Sequence, residues 1–340
     1  MSNRFQDILS QWHPAKDETD WALATIVQTK GSSYRKAGAH MMINSLGQSF
    51  GMLSGGCLEA DLKRQARKCW DSNQPHIVCY DMSDESDISW QLGIGCGGMV
   101  RVLIQPVTKD NNYHNLAEVY QALTNHQPVS YSLDINNPSS INALSLEPTT
   151  TVRSSSFNHH SQQFTSIISS KPQLVIFGAG IDTLPLISLA KTMAWNITLI
   201  DERSNYARPS EFKSINMMIN QSYQSLTNHA AIKNADAIVI MHHNIELDAK
   251  AINLAQHSNA NYLGLLGPTH RTERVFEHTN HKADQLRCPL TNPIGLDLGG
   301  DLPETIALSI VSQIQAHLAQ RSAKSLNQYN NTIAEVTDAS

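Results

Sequence analysis

The chain has 340 residues, enough for two domains that each bury a core of their own. Hydrophobic residues make up 41% of it and charged residues 16%, a composition typical of soluble globular proteins. The formal net charge of −5 argues against an electrostatic grip on nucleic acid or anionic lipid. No apolar run reaches bilayer length, and the first residues lack the pattern of a signal peptide. We therefore expect a cytoplasmic protein that binds neither nucleic acid nor membrane.

The first half of the chain alternates short apolar runs with glycine-rich turns. Helical spacing of apolar residues predicts a helix over 3–13, another that begins near Cys57, and a third over 113–123. Strand patterns occur at 21–29, 40–44, 49–53, 76–81 and 99–105. These elements predict a mixed α+β domain over residues 1–146.

Apolar residues become sparse after about residue 136, and Ser, Thr, Asn, Gln and Pro dominate up to Lys171. Weak strands are compatible with this stretch. We predict a polar linker at 147–171 and a polar tail at 321–340.

The second half has the order of elements of a parallel, doubly wound sheet. Strands are predicted at 173–177, 197–201, 215–219, 237–241 and 262–266, and helices at 184–193, 247–257, 268–278 and 303–319. The fold class is therefore α/β, with a C-terminal Rossmann-like domain over 172–320.

A partial dinucleotide fingerprint lies at the first strand–helix turn of this domain. Gly178 and Gly180 suit a phosphate turn, and Asp201 follows at about the 20-residue spacing of an acid that binds a ribose hydroxyl. Thr183 replaces the third glycine, however, and the Asp182 carboxylate could cap the helix and repel a pyrophosphate. NAD(P) is thus an unlikely cofactor, and an NAD(P)-dependent oxidoreductase is the alternative function.

Cysteine use is the second chemical signal. The five cysteines at 57, 69, 79, 96 and 288 are odd in number and form no Cys-x-x-Cys pair, which argues against a disulfide framework and a four-sulfur zinc site. Ser54, Gly55 and Gly56 lead into Cys57 near a helix start, where free backbone N–H groups favour the thiolate. The alternative is a small apolar residue packed at the turn.

Cys96 has a similar setting, because Gly97 and Gly98 follow it and another glycine precedes it. Together with Cys57 it suggests a soft site for molybdenum or for carrying sulfur.

A separate loop offers anion-binding groups. Gly31, Ser32 and Ser33 precede Arg35 and Lys36, so backbone N–H groups, hydroxyls and cations fall within six residues. A polar hairpin turn is an equally good interpretation.

Polar residues also follow the later strands of the second half, at the sheet edge where α/β domains bind ligands. The run from His242 and His243 to Asp248 allows a zinc or iron site, although a polar pocket rim fits the spacing better. Arg271, near the start of a predicted helix, either meets a phosphate or is solvated. The loop that contains Asp297 borders the same presumed cleft.

Seven motifs, in order, resemble the XdhC/CoxI family of xanthine dehydrogenase accessory proteins over about residues 20–106 and 172–318. They are Gly31-Ser32-Ser33 with Gly38-Ala39, Ser54-Gly55-Gly56-Cys57-Leu58-Glu59, Gly95-Cys96-Gly97-Gly98, Gly178-Ala179-Gly180, His243-Asn244-x-Glu246-x-Asp248, Gly264-Leu265-Leu266-Gly267-Pro268-x-x-Arg271-Thr272-Glu273-Arg274, and Pro293-Ile294-Gly295-Leu296-Asp297. Tyr34 departs from the pattern, since many members have proline there.

The resemblance implies a maturation factor rather than a metabolic enzyme. Such a protein binds molybdenum cofactor, protects it, assists its sulfuration by a cysteine desulfurase and delivers it to an apo molybdenum hydroxylase of the xanthine dehydrogenase type. It implies Cys57 and Cys96 as thiols near the metal. The implied cofactor-binding residues are Gly31, Ser32, Ser33, Arg35, Ser54, Gly55, Gly56, Glu59, Gly97, Gly98, Gly178, Gly180, Asp201, His243, Gly267, Arg271 and Asp297.

Besides the oxidoreductase, a non-catalytic scaffold that only bridges desulfurase and hydroxylase would fit the same motifs. A homodimer is compatible with the sequence, because dimers are the commonest assembly of soluble chains.

Overall fold

A computed structural model of the chain describes residues 2–56, 58–81, 98–147 and 155–326. The chain divides after Lys171 into two compact units, Met1–Lys171 and Pro172–Ser340, called here the first and second units. Among the described residues, no helix is both long enough and apolar enough to cross a bilayer.

The first unit contains a five-stranded antiparallel sheet in the order β3-β2-β1-β5-β4. Its strands are β1 (Trp21–Lys30), β2 (His40–Asn44), β3 (Ser49–Gly51), β4 (His76–Asp81) and β5 (Met99–Val107). The alternation of β1 places Ala22, Ala24 and Ile26 in one core cluster and Trp21 and Leu23 in another. Both faces of the sheet are therefore covered.

The helices of the first unit pack on opposite sides of this sheet. Helix α2 (Glu59–Ser72) buries Leu62, Ala66 and Cys69 in the cluster that holds Ile26. Helix α1 (Phe5–Trp12) and helix α3 (Leu116–Thr124) bury their apolar faces in the other cluster. The predicted helices of this half are confirmed to within a few residues.

A second antiparallel sheet of the first unit, in the order β7-β6-β9-β8, corrects the predicted linker. Its strands are β6 (Val129–Asp134), β7 (Ala143–Ser145), β8 (Ser155–Asn158) and β9 (Gln163–Ile168). Strands β8 and β9 lie inside 147–171, so the linker prediction is wrong for these residues. Every second residue of β9 is buried, including Ser166, which makes the strand half-buried although its sequence is polar.

The second unit is built on a six-stranded parallel sheet in the order β12-β11-β10-β13-β14-β15. Its strands are β10 (Gln173–Phe177), β11 (Asn196–Ile200), β12 (Met217–Ile219), β13 (Ala237–Ile240), β14 (Tyr262–Leu265) and β15 (Leu290–Thr291). The strand order reverses between β10 and β13, and the crevice outside the carboxyl ends of strands at such a point is where open α/β sheets bind ligands.

Helices cover both faces of the parallel sheet, which confirms the predicted doubly wound fold. Helices α4 (Thr183–Thr192) and α8 (Pro303–Leu318) pack on one face. Helices α6 (Ile245–Ala255) and α7 (Thr269–Phe276) pack on the other, and the short helix α5 (Ala230–Lys233) precedes β13.

Candidate functional site

The turn that leads into α2 is closed by two of its own polar side chains. One Glu59 carboxylate oxygen accepts hydrogen bonds from the backbone N–H groups of Ser54, at 2.8 Å, and Leu53, at 3.3 Å, and the other accepts the Ser54 hydroxyl. The Ser54 hydroxyl oxygen in turn accepts the N–H of Leu58 at 2.9 Å. These bonds pin residues 54 and 58 to each other and leave Gly55 and Gly56 exposed between them.

Three of the predicted loops come together in the first unit. A Cβ atom on Gly55 would lie 3.7 Å from the Tyr34 ring, and a Cβ atom on Gly98 would collide with the backbone oxygens of Lys30 and Ser32. The Arg35 guanidinium donates to the backbone oxygen of Met52 at 3.2 Å. The loop at 31–35 is therefore the common neighbour of the other two.

Both cations of this loop hydrogen-bond protein groups, whereas the predicted anion cradle would have them face the ligand. Arg35 is turned toward Met52, and burial lowers its pKa. Lys36 donates to the Ser33 hydroxyl at 3.3 Å. Gly31, Ser32, Tyr34 and Lys36 are exposed in this loop, so an incoming anion would meet these residues first.

The predicted thiol groups, Cys57 and Cys96, and the neighbouring Gly97 lie outside the described residues. Their position at a metal stays a prediction.

In the second unit, the glycine turn after β10 packs against the turn after β13. A Cβ atom on Gly178, whose φ is +106°, would lie 2.8 Å from backbone atoms of Met241 and His242. A Cβ atom on Gly180 would collide with the Asp182 carboxylate. Glycine is required at 178, where φ is positive and another backbone segment fills the space, whereas a side chain at 180 would displace the Asp182 carboxylate.

Asp182 does not cap α4, contrary to the expectation from its position. Its side chain makes no hydrogen bond to the helix N-terminus, and Oδ2 instead accepts from Nε2 of His243 at 2.7 Å. This bond raises the pKa of His243. The predicted repulsion of a pyrophosphate is thereby reduced, because an imidazole N–H already bonds one oxygen of the carboxylate.

The Asp201 carboxylate is fully buried and already bonded at both oxygens. Oδ2 accepts from the N–H of Ala179 at 2.8 Å and from Nη2 of Arg203 at 2.6 Å, while Oδ1 accepts from Nε of Arg203 at 2.9 Å. Burial opposes its ionisation, but the bonds from Arg203 and Ala179 outweigh burial and hold its pKa below the usual value. A ribose hydroxyl would have to compete with Arg203 for this acid.

A polar chain, meaning a series of largely buried side chains linked by hydrogen bonds, lies at the same edge of the sheet. The Tyr223 hydroxyl hydrogen-bonds Nε2 of His242, and Nδ1 of His242 hydrogen-bonds Oδ1 of Asp248 at 2.9 Å. Oδ2 of Asp248 accepts from Nη2 of Arg271 at 2.5 Å. Arg271 is thus paired with Asp248 rather than simply solvated, and its contact with a phosphate stays a prediction.

Two further predicted residues lie in loops of the second unit. Gly267, with a φ of +132°, lies against the Arg271 side chain, and Asp297 is exposed in the loop before α8. Among the described ranges, no group of three or more His, Cys, Asp or Glu side chains is arranged to hold a metal ion.

Sequence reasoning missed Tyr223 and Arg203 as parts of the site and did not pair Asp182 with His243. Arg203 had an available signal, because it follows Asp201 by two residues. Tyr223 lies in a single 3-10 turn with no periodic pattern around it, and offered none.

The fold and these residues define a two-unit α/β protein whose second unit is a Rossmann domain with its switch-point crevice bridged by an ion pair. A family model described as the XdhC Rossmann domain matches residues 174–314, and one described as the XdhC and CoxI family matches residues 15–81.

Two curated proteins are similar over most of their length. A probable xanthine dehydrogenase subunit of Bacillus subtilis (strain 168) is 30% identical over 314 residues, which is 88% of this chain and 93% of that protein. The molybdenum cofactor insertion chaperone PaoD of Escherichia coli (strain K12) is 22% identical over 295 residues, covering 86% of this chain and 81% of PaoD.

A solved structure agrees with these matches. The crystal structure of a xanthine dehydrogenase from Bacillus halodurans superposes with a TM-score of 0.79 at 31% identity, over 95% of this chain and 98% of that one. The chain belongs to the XdhC and CoxI family, which confirms the resemblance seen in its motifs.

Proposed function

We propose that this protein is a maturation factor that binds molybdenum cofactor and delivers it to an apo molybdenum hydroxylase of the xanthine dehydrogenase type. Its membership of the XdhC and CoxI family and its similarity to a chaperone named for molybdenum cofactor insertion support the proposal. The cofactor is cargo here, so the chain needs groups that hold and release it rather than a resident metal site.

The observation that carries the proposal is the convergence of the three glycine loops in the first unit. Gly56 directly precedes Cys57, and Gly98 follows Cys96 by two residues. Gly55 and Gly98 contact the loop at 31–35, and each of the two cysteines is two residues from one of these glycines in the sequence. Two thiolates so placed suit a soft, dithiolene-bound metal, and the exposed N–H of Gly31 and hydroxyl of Ser32 suit the cofactor's phosphate.

The finer part of the proposal is assistance with sulfuration. Hydrosulfide replaces an oxo ligand of the bound molybdenum, and the oxo group leaves as water with the hydrosulfide proton and one proton from solvent. A cysteine desulfurase supplies the sulfur as a persulfide, from which a thiol releases the hydrosulfide and becomes half of a disulfide. In this scheme Cys57 and Cys96 hold the metal while the ligand exchanges.

Copurification tests the binding step. The full chain is purified from cells that make the cofactor but lack the partner hydroxylase, and molybdenum content and the fluorescence of oxidised pterin are measured. We expect near-stoichiometric cofactor in the wild type, retention in Cys79→Ala, which removes an exposed thiol, and loss in Cys57→Ala. Absence of cofactor from the gently purified wild type would contradict the proposal.

Activation of an apo hydroxylase, with and without the desulfurase, tests delivery and sulfuration. We expect the double variant Cys57→Ala, Cys96→Ala to fail in activation. Full activation by this variant would support the scaffold alternative.

Hydride transfer with NAD(P) is the competing function. Because both oxygens of Asp201 are engaged by Ala179 and Arg203, we expect calorimetry to detect no micromolar binding of the oxidised or reduced dinucleotide. Tight binding of either form would favour the oxidoreductase.

A further inference from the structure

A small pocket opens at the carboxyl edge of the second unit's sheet, next to the point where the strand order reverses. Its volume is about 230 Å³, and its walls are almost entirely apolar. The residues that line it are Asp182, Leu186, Met241, His243, Leu266, Pro303, Ile306, Ala307 and Ile310. Pockets for drug-sized ligands span roughly 300–1,000 Å³, so this smaller space suits one flat ring system rather than a whole dinucleotide.

The polar side chains of the pocket are Asp182 and His243, which form the ion pair described above. The His243 side chain is 61% exposed and that of Asp182 is 28% exposed. Both can therefore exchange their mutual bond for bonds to a ligand at little cost, because exposed ion pairs contribute little to stability.

The arrangement of these two groups selects a particular ring edge. A carboxylate accepts two parallel N–H bonds, and an imidazole N–H beside it donates one bond. The complementary edge carries an amino group, a ring N–H and a carbonyl oxygen in that order. We infer that the pocket binds a heterocycle with a 2-amino-4-oxopyrimidine edge, the edge shared by pterins and guanine.

Other common rings fit this pair poorly. Adenine offers an acceptor next to its amino group, which would face the carboxylate without a proton between them. A nicotinamide ring offers one amide and no ring N–H. Apolar walls from α4 and α8 would pack on either face of the ring, while its edge would meet Asp182 and His243.

This inference uses residues of the second unit alone and does not rest on the cysteines. Failure of Cys57→Ala to lose cofactor would leave it untouched, and failure of the ring to bind would leave the thiol proposal untouched.

The test uses the full chain purified from cells that cannot make molybdopterin, so that the pocket is not already filled. Pterin-6-carboxylate, whose fluorescence reports binding, is the probe, and GMP and AMP are the competitors. Variants Asp182→Asn and His243→Gln are compared with Glu211→Gln, which removes an exposed carboxylate in the same unit. Thermal melting of each variant checks that it is folded.

We expect the pterin to bind and Asp182→Asn to weaken it about 10- to 100-fold, since a hydrogen bond to a charged group is worth roughly 1.5–3 kcal/mol. His243→Gln should weaken it less, and Glu211→Gln should not change it.

Displacement by GMP but not AMP would assign the shared edge, and no displacement by GMP would assign a pterin site. Direct GMP binding without pterin binding would assign a guanine nucleotide. Binding of neither ring, equal competition by AMP, or unchanged affinity in folded Asp182→Asn would overturn the inference.

Discussion

Each unit has a glycine-rich turn that leads into a helix, and the two turns use their acidic residues in opposite ways. Before α2, Glu59 folds back on its own turn and bonds Ser54 and Leu53. Before α4, the Asp182 side chain makes no hydrogen bond to its own helix and instead bonds His243, which lies on another loop 61 residues away. The first turn is closed by local bonds that a ligand cannot easily replace. The second is held by one exposed pair that a ligand can open.

The buried hydrogen bonds of Asp248 are the interactions of the second unit whose loss should lower the free energy of unfolding most. Asp248 is fully buried and bonds His242 and Arg271, so removal of its carboxylate leaves a largely buried guanidinium and a buried imidazole without their acceptor. We expect Asp248→Ala to lower the free energy of unfolding by about 3–5 kcal/mol. Urea denaturation measures this change.

Glu246→Ala is the matched control for that variant, because Glu246 lies in the same first helical turn but is exposed. Its effect should stay within about 0.5 kcal/mol. Equal stability of the two variants would show that the polar chain contributes nothing beyond packing.

The closed turn of the first unit should respond to loss of Glu59 by a smaller amount. Glu59→Ala leaves the backbone N–H of Ser54 and of Leu53 without an acceptor, and the cost is up to about 3 kcal/mol. Glu18→Ala, at an exposed carboxylate of the same unit, provides the reference. If Glu59→Ala unfolds at the same urea concentration as the reference, water replaces these bonds and the turn is not closed by them.

The two units also contain histidines whose protonation has opposite consequences. Burial lowers the pKa of His40 to about 3, with a smaller contribution from nearby Arg35. Its folded-state pKa is below the unfolded value near 6.5, so the unfolded chain binds the extra proton and stability falls as the pH drops below about 6.5. From about pH 7 to about pH 5 this group should cost about 2 kcal/mol.

His40→Gln should reduce that acid-dependent loss by the same amount, whereas replacement of the exposed His160 should not. The measurement is the free energy of unfolding of the two variants at both pH values. An unchanged pH dependence in His40→Gln would mean that His40 is protonated in the folded protein.

The sequence predicted elements that are specified by their own residues better than elements that depend on distant partners. Strands such as β1 and β10 are continuous apolar runs bounded by polar or glycine residues, and their predicted limits agree with the structure to within about two residues. Strands β8 and β9 lie in a stretch where only weak strands were expected, because one of the few buried positions is the polar Ser166 and the strands form by pairing, β9 with β6 and β8 with β9. Propensity does not reveal a strand that depends on a partner sheet.

The candidate site residues were likewise identified singly, but the contacts between them were not predicted. Gly55, Gly98 and the loop at 31–35 were each identified from their sequences, but their mutual contact was not predictable from spacing. The pairing of Arg271 with Asp248 was not predicted, because Asp248 is 23 residues away on a different helix. Ion pairs between separate loops leave no periodic signal in a single sequence.

The smallest predicted effect concerns the pair that closes the second turn. The hydrogen bond to Asp182 raises the pKa of His243 above its unfolded value, so its contribution to stability is full below about pH 6.5 and is lost as the pH rises through the raised pKa. Because His243 is largely exposed, solvent screening limits this contribution to under about 1 kcal/mol. The melting temperature of the wild type should therefore fall slightly more than that of His243→Gln from about pH 6 to about pH 9, and the difference should vanish in about 1 M salt. A difference that persists at high salt would instead indicate that the pair is shielded from solvent, and the crevice would then be closed rather than open to a ligand.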